Sequence, residues 1–250
     1  MLPGALKALQ EAEVVVGYKM YLELIADLTV GKTLHASGMR KELERCQVAI
    51  DHAAAGRRVV IVSSGDAGIY GMAGLIFDLC RTKNIQAAHC DANGIQDKDP
   101  SAPFCIEVIP GVAAFNAAAS RVGAPLMHDF AAISLSDHLT PWEVIEKRIE
   151  AAAAADFVIA IYNPRSKTRP NLLNQAQQVL LHHRAVSTPV AIVRRAMRDG
   201  EWQNIVTLGS IPFAEVDMQS IVIVGNSKTY TWRGWMVTPR GYLDKYGIGG

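Results

Sequence analysis

Three short segments hold residues whose types and spacing could do chemistry. The first, VVIVSSGDAGIYGMAG at 59–74, runs from an apolar stretch through a glycine-rich turn into a helical pattern. In open α/β sheets ligands bind at the carboxyl ends of strands, and glycines there let a ligand approach the backbone. The glycines fall at 65, 68, 71 and 74. That spacing is not G-x-G-x-x-G, and no Gly-Lys-Ser/Thr of a phosphate loop follows. A phosphate-bearing cofactor is disfavoured. A sulfonium cofactor such as S-adenosylmethionine carries no phosphate, and its cationic end suits carbonyls and a carboxylate such as Asp66. The same glycines serve a purely structural turn as readily.

The second segment is IPGVAAFNAAAS at 109–120. Ala113 and Ala114 leave room there either for a flat group or for close helix–sheet packing. In the third, AIYNPRSKTRP at 160–170, Asn-Pro breaks a strand and Arg165, Lys167 and Arg169 follow at alternate positions. Three such cations could hold a ligand with several carboxylates, the arginines bidentately. A solvated basic loop is the other reading. His182 and His183 stand near a helix end, where cations offset the dipole. His128, beside Asp129 at a junction between halves, is either an acid–base group or a structural histidine. No Ser-His-Asp or Cys-His arrangement is recoverable from spacing.

The elements that must position these residues alternate between apolar runs and helical patterns. Val14 to Val16 is a brief run. Glu42 to Ala55 is helical, with Leu43, Cys46, Ile50 and Ala53 on one side and Gly56 to close it. Arg58 to Ser63 reads as a strand buried on both faces, and Tyr70 to Cys80 as the next helix. Asn84 to Pro103 is polar and rich in turn formers, an exposed loop. Phe104 to Ile109 reads as a strand and Ala113 to Val122 as a helix. A second half starts near Asp129, with a strand at Phe130 to Leu135. Its first helix begins at Thr140-Pro141-Trp142-Glu143, with Thr140 as N-cap, Pro141 at the first helical position and Glu143 at the third. Strands at Phe157 to Tyr162, Pro189 to Arg194 and Ile221 to Val224 and a helix at Asn171 to His183 complete it. The class is α/β, in two domains at 1–125 and 126–250.

Composition narrows the function. Of 250 residues half are hydrophobic, enough for one large domain or two small ones. Lys and Arg number 25 against 24 Asp and Glu, so no basic excess points to nucleic acid. No run of 18 apolar residues suggests a membrane span, and no basic and apolar leader suggests a signal peptide. Cys46, Cys80, Cys90 and Cys105 form no CxxC pair, which argues against a metal site. They read as free thiols in a reducing cytoplasm, three of them buried.

The blocks SSGDAGIYGMAG, IPGVAAFNAAASRVGAPLMHDFAAISLSDHLTPWEVIEKR, FVIAIYNPRSKTRP and VDMQSIVIVGNS resemble the precorrin-3B C17-methyltransferase family of the tetrapyrrole methylase superfamily. The resemblance runs from about Ala8 to Asn226. It implies two α/β domains with an active site in an interdomain cleft, a homodimer, and S-adenosylmethionine as cofactor. The implied reaction is C17 methylation with ring contraction of precorrin-3B or its cobalt counterpart, in cobalamin biosynthesis. By motif, the cofactor would touch Gly65, Asp66, Ala67, Ile69, Tyr70, Ala113, Ala114, Tyr162, Asn163, Ala196 and Ser220. Arg165, Lys167 and Arg169 would hold substrate carboxylates. Family members open with a strand and a turn resembling G-x-G-P-G. This chain begins MLPGALKAL, which resembles the helix after that turn, so the resemblance implies that the opening strand is absent and a sheet edge exposed.

Two other readings remain. One is a different tetrapyrrole methylase, against which YNPRSKTRP argues. The other is a shortened homologue that binds a tetrapyrrole or a partner without turning it over. No acid or base for the contraction can be named from the residues.

Overall fold

A computed structural model describes residues 1–91, 94–95, 101–166 and 168–247. The chain divides into two compact units, Met1–Ala113 and Ala114–Gly250.

The first unit contains α1 (Pro3–Glu11), β1 (Val14–Tyr18), α2 (Lys19–Glu23), β2 (Thr33–Ser37), α3 (Glu42–Ala54), β3 (Val59–Val62) and α4 (Ala73–Thr82). Strands β2, β1 and β3 form a parallel sheet in that order. Val14, Val15 and Val16 are fully buried in its centre. Strand β3 is an edge strand of this sheet and only half-buried, not covered on both faces as its unbroken apolar run suggested. Helix α3 packs Cys46, Ala49 and Ile50 inward. Burial pushes the Cys46 thiol up to about 11, so it behaves as an apolar side chain.

Beyond α4 the unit continues through β4 (Ala88–Asp91), β5 (Gly94–Ile95) and β6 (Cys105–Ile106), a small sheet in the order β5-β4-β6. The segment expected to be an exposed loop is thus partly strand. The strand expected over Phe104 to Ile109 pairs only at Cys105–Ile106. Cys46 and Cys80 are buried, Cys90 is half-buried and Cys105 exposed, so two thiols rather than three lie in the interior.

The second unit contains α5 (Ala114–Val122), β7 (Gly123–Ala124), β8 (Phe130–Ser134), α6 (Trp142–Ala154), β9 (Val158–Tyr162), α7 (Leu172–Leu181), β10 (Pro189–Arg194), β11 (Trp202–Thr207), β12 (Ser220–Val224), β13 (Tyr230–Trp232), β14 (Trp235–Val237) and α8 (Tyr242–Tyr246). Its main sheet has the order β11-β10-β12-β9-β8. Strands β8 and β9 are parallel, and β12 runs antiparallel to both β9 and β10. The carboxyl ends of β8, β9 and β10 therefore share one edge with the amino end of β12.

Side chains alternate across each strand. Ile159, Ile161, Ile192 and Val222 face a core with Ile145 and Ile149 of α6 and Leu173 and Leu180 of α7. Tyr162 belongs to the opposite face, where its ring meets Phe115 of α5. Helix α5 packs on β10 and β12 and so falls with the second unit, twelve residues before the expected boundary. Helix α6 begins at Trp142. Pro141 precedes it in extended conformation, and Thr140 makes no side-chain cap.

Helix α6 ends at a clasp. Asp156 takes a left-handed φ of 60°, and its carboxylate accepts from the Ser227 N–H at 3.0 Å and the Ser227 hydroxyl at 2.6 Å. Buried Arg184 reaches the same carboxylate at 3.2 Å and donates to the carbonyls of Ala153 and Phe157. Burial alone would raise the Asp156 carboxyl, but the two Ser227 bonds and the Arg184 and His128 charges hold it below the usual carboxylate range. A carboxyl lowered by folding stabilises the fold above the unfolded chain's titration near about pH 4, and that stabilisation is lost as pH falls through the folded value. Asp156→Asn keeps a residue that tolerates left-handed backbone and removes the charge. The variant should melt lower than the parent at neutral pH, and the gap should close in acid. Thermal melts from pH 7 down to about pH 3 check this.

Candidate active site

The glycine-rich turn after β3 is held by its own backbone and by one carboxylate. Gly65 has a φ of 80° and Tyr70 one of 53°. Gly71 has no room for a side chain, because a Cβ there would lie 2.4 Å from the Ala67 carbonyl oxygen. The N–H of Ala73 donates to that same carbonyl at 3.0 Å. This knot delays α4 to Ala73, three residues after the helix the periodicity suggested. Ser63 accepts the Met72 N–H at 3.2 Å and ties the end of the turn to the end of the strand.

Asp66 fixes the turn to the second glycine segment. Its Oδ1 accepts the Gly68 N–H at 2.7 Å, and its Oδ2 accepts the Gly111 N–H at 2.8 Å. The segments also touch directly, since a Cβ on Gly111 would lie 1.9 Å from the Gly65 carbonyl oxygen. Gly65, Gly68, Ile69 and Tyr70 remain exposed around this contact, Ile69 at 37% and Tyr70 at 56%. Asp66 and Ala67 are half-buried, and Ala113 is buried at the end of the second segment.

In the second unit the expected residues collect at one sheet edge. Tyr162 ends β9 and Ser220 begins β12. Asn163 follows Tyr162, and Ala196 lies two residues past Arg194, which pairs with Ser220. The Tyr162 hydroxyl accepts the Phe115 N–H at 3.2 Å, satisfying a free donor in the first turn of α5, which starts at Ala114. Asn163, with a φ of 50°, donates from its amide to the Ser134 hydroxyl at 2.9 Å. Ser220 is buried and exchanges hydrogen bonds with Asp217.

The loop with Ala196 is strained on both sides of that residue, with φ 53° at Arg195 and 60° at Met197. Glu201 braces it, accepting from the Met197 N–H at 2.6 Å and from Arg121 at 2.7 Å. The Met197 N–H foremost holds the Glu201 carboxyl below its usual range; burial opposes it, and the hydrogen bond and charge of Arg121 add to the lowering. Left-handed non-glycine residues cost energy and gather where function needs a fixed backbone. Tyr70, Asn163, Arg195 and Met197 all lie in or beside the segments singled out by motif.

The basic loop is less free than its sequence suggested. Arg165 donates to the Phe213 carbonyl at 2.6 Å. Arg169 donates to the Ser136 hydroxyl at 2.8 Å and pairs with Asp137 at 3.0 Å. Lys167 lies outside the described residues. His128 accepts the Asp129 N–H on Nδ1 at 2.8 Å, and His183 meets Glu150 at 2.6 Å. Gly111, Ser63 and Ser134 were not singled out by sequence. The only local signal among them was the proline–glycine pair at 110–111. Among the described residues no group of three or more His, Cys, Asp or Glu could hold a metal, and no helix is long and apolar enough to cross a membrane.

Glycine turns at a sheet end are braced by Asp66 and Ser63 in the first unit, and the loops after β9 and β10 are braced by polar side chains in the second. The chain belongs to the tetrapyrrole (corrin/porphyrin) methylase family, whose profile matches residues 3–212. It is 50% identical over 238 residues to the probable cobalt-factor III C(17)-methyltransferase of Salmonella typhimurium, covering 95% of this chain and 92% of that protein. It is 46% identical over 242 residues to the cobalt-factor III methyltransferase of Priestia megaterium, of which it spans 42%. Its fold matches the crystal structure of the methyltransferase CobJ with a TM-score of 0.84 and 37% identity, covering 96% of this chain and 93% of that one.

Two substitutions test the bracing. Asp66→Asn leaves one oxygen for two N–H donors and should cost about 1–3 kcal/mol of stability. Gly111→Ala forces a Cβ against a carbonyl and should cost about as much, as overpacking does. Denaturant melts without cofactor measure both. Unchanged midpoints would mean that neither the carboxylate nor the close approach holds the two segments together.

Proposed function

We propose that this chain transfers a methyl group from S-adenosylmethionine to C17 of a tetrapyrrole, with contraction of the ring, in cobalamin biosynthesis. The substrate is precorrin-3B or cobalt-factor III. The observation that carries the reading is the likeness to the probable C(17)-methyltransferase of Salmonella typhimurium across nearly the whole of both chains.

The first glycine turn supports the cofactor. Residues 59–74 contain no Lys or Arg, so a phosphate would find no counter-ion on the segment. Exposed Gly65 and Gly68 leave backbone open to a ligand, and exposed Ile69 and Tyr70 offer apolar surface. When bound, S-adenosylmethionine supplies an electrophilic methyl group. The residues proposed to hold it are Gly65, Asp66, Ala67, Ile69, Tyr70, Ala113 and Ala114, with Tyr162, Asn163, Ala196 and Ser220. Asp66 contributes by fixing Gly68 and Gly111, and its half-exposed carboxylate adds negative charge beside a cationic ligand. Methyl transfer needs the partners aligned at about 3–3.5 Å more than it needs an acid or base. Turns held by the hydrogen bonds of Asp66 and Ser63 suit that demand.

Arg165, Lys167 and Arg169 are proposed to hold substrate carboxylates. Asp137 already offsets Arg169, so Arg165 is the more available of the two described cations. The reading also includes a homodimer in the cytoplasm, by analogy with the family.

The test is incubation with labelled S-adenosylmethionine and either precorrin-3B or cobalt-factor III, with products identified by mass. A singly methylated, ring-contracted product is expected, and transfer to another carbon would favour a different methylase of the family. Arg165→Gln should raise KM for the tetrapyrrole about tenfold, as loss of a charge-assisted hydrogen bond does, while the Kd for S-adenosylmethionine stays unchanged. The parent's KM should rise with salt, which screens exposed charges over about 8–10 Å.

A further inference from the structure

Arg45 is a buried cation without a buried anion. It lies on α3 and is 5% exposed. Its Nε donates to the Ser37 hydroxyl at 2.8 Å, and one terminal nitrogen donates to the Gly38 carbonyl at 2.9 Å. The other terminal nitrogen rests 3.7 Å from the Met72 sulfur, and the Tyr18 ring centroid lies 5.9 Å from the guanidinium carbon. Among the described residues no carboxylate comes within ion-pair distance of it. A guanidinium has five donors, and three contacts to neutral groups leave some unused.

Burying an unpaired charge is costly, and buried charges are ordinarily paired. Arg184 in the second unit follows that rule through Asp156. Arg45 departs from it at a telling place. Ser37 ends β2, Tyr18 ends β1 and Met72 closes the glycine turn after β3. The three strands are parallel, so the guanidinium stands at the carboxyl edge of this sheet, beside the turn proposed to bind cofactor. Its weakest contact is the thioether, on a side chain that adapts readily. Arg40, three residues past Ser37 in a left-handed backbone, is exposed and makes no side-chain ion pair among the described residues.

We propose that Arg45 receives one carboxylate of the tetrapyrrole substrate, which displaces the Met72 sulfur and supplies the missing counter-ion, with Arg40 as an outer cation. This rests on the tetrapyrrole reading and assigns it a binding residue outside the basic loop. Serine at 37 leaves the anion's place open, where an aspartate would fill it.

Ser37→Asp is therefore the decisive variant. It gives Arg45 an internal partner and should fold at least as well as the parent. The readout is direct binding of cobalt-factor III by absorbance titration, beside calorimetric binding of S-adenosylmethionine and a thermal melt. Tetrapyrrole affinity should fall about ten- to a hundredfold, the equivalent of one charge-assisted hydrogen bond, with cofactor affinity kept. Ser37→Asn, neutral and similar in size, should bind nearly as the parent does. Arg45→Met should lose tetrapyrrole affinity like Ser37→Asp, and Arg45→Lys should recover part of it. Equal affinity in the parent and Ser37→Asp would overturn the proposal. So would losses in Ser37→Asp that Ser37→Asn shares, or that extend to cofactor affinity and melting temperature. A parent that binds cobalt-factor III but does not methylate it counts against the proposed activity alone.

Discussion

The first unit depends on a contact in which no side chain is permitted. The Gly65 carbonyl presses on the backbone of Gly111, and only a hydrogen at position 111 fits between them. Asp66 then bridges the two segments with both carboxylate oxygens, each spent on a backbone N–H. The combination turns two loops distant in sequence into one surface at the end of β3. Ile69 and Tyr70 are left exposed on it. A ligand that binds such a surface need not order it first, which lowers the cost of binding.

The second unit solves the same problem with two neutral contacts and one ion pair. The Tyr162 hydroxyl satisfies a donor at the start of α5, and the Asn163 amide reaches Ser134 at the end of the neighbouring strand. Glu201 and Arg121 brace the strained loop around Ala196. In each case a side chain from one element is spent on positioning another. Residues that motif alone would make ligand contacts thus have structural partners as well. Substitution at Asp66 or Tyr162 should be read with that double duty in mind.

Much of the fold was legible because strands buried in sheets are apolar runs. Pro189–Arg194 and Val158–Tyr162 are written that way. Strand β2 was not, since TLHAS is largely exposed and carries no apolar alternation. Strand β11 mixes Trp, Gln and Asn with its apolar residues and was missed for the same reason. The bounds of α4 and α6 failed where a turn outside the helix, at Tyr70–Gly71, or an extended proline, Pro141, overrode local helix signals. In the site, the glycine turns could be read from type and spacing. The Asp66–Gly111 bond could not, because it joins positions 45 residues apart. Arg45 left one faint trace. With Ala49 and His52 it forms a stripe on α3 at helical spacing, facing inward where a charge is out of place.

The strand order of the second unit bears on how the chain matures. Strand β12 is the last of the five in sequence, yet it lies between β9 and β10. Until residues 220–224 arrive, those two strands have no common neighbour, and the ends that carry Asn163 and Ala196 are not held level. The pairing is long-range and so slow to form. A small molecule that recognises this edge binds the finished sheet and not its precursors, and by mass action draws the chain toward the finished state. Occupancy of the edge would thereby report that synthesis has passed β12 and that the sheet has closed around it.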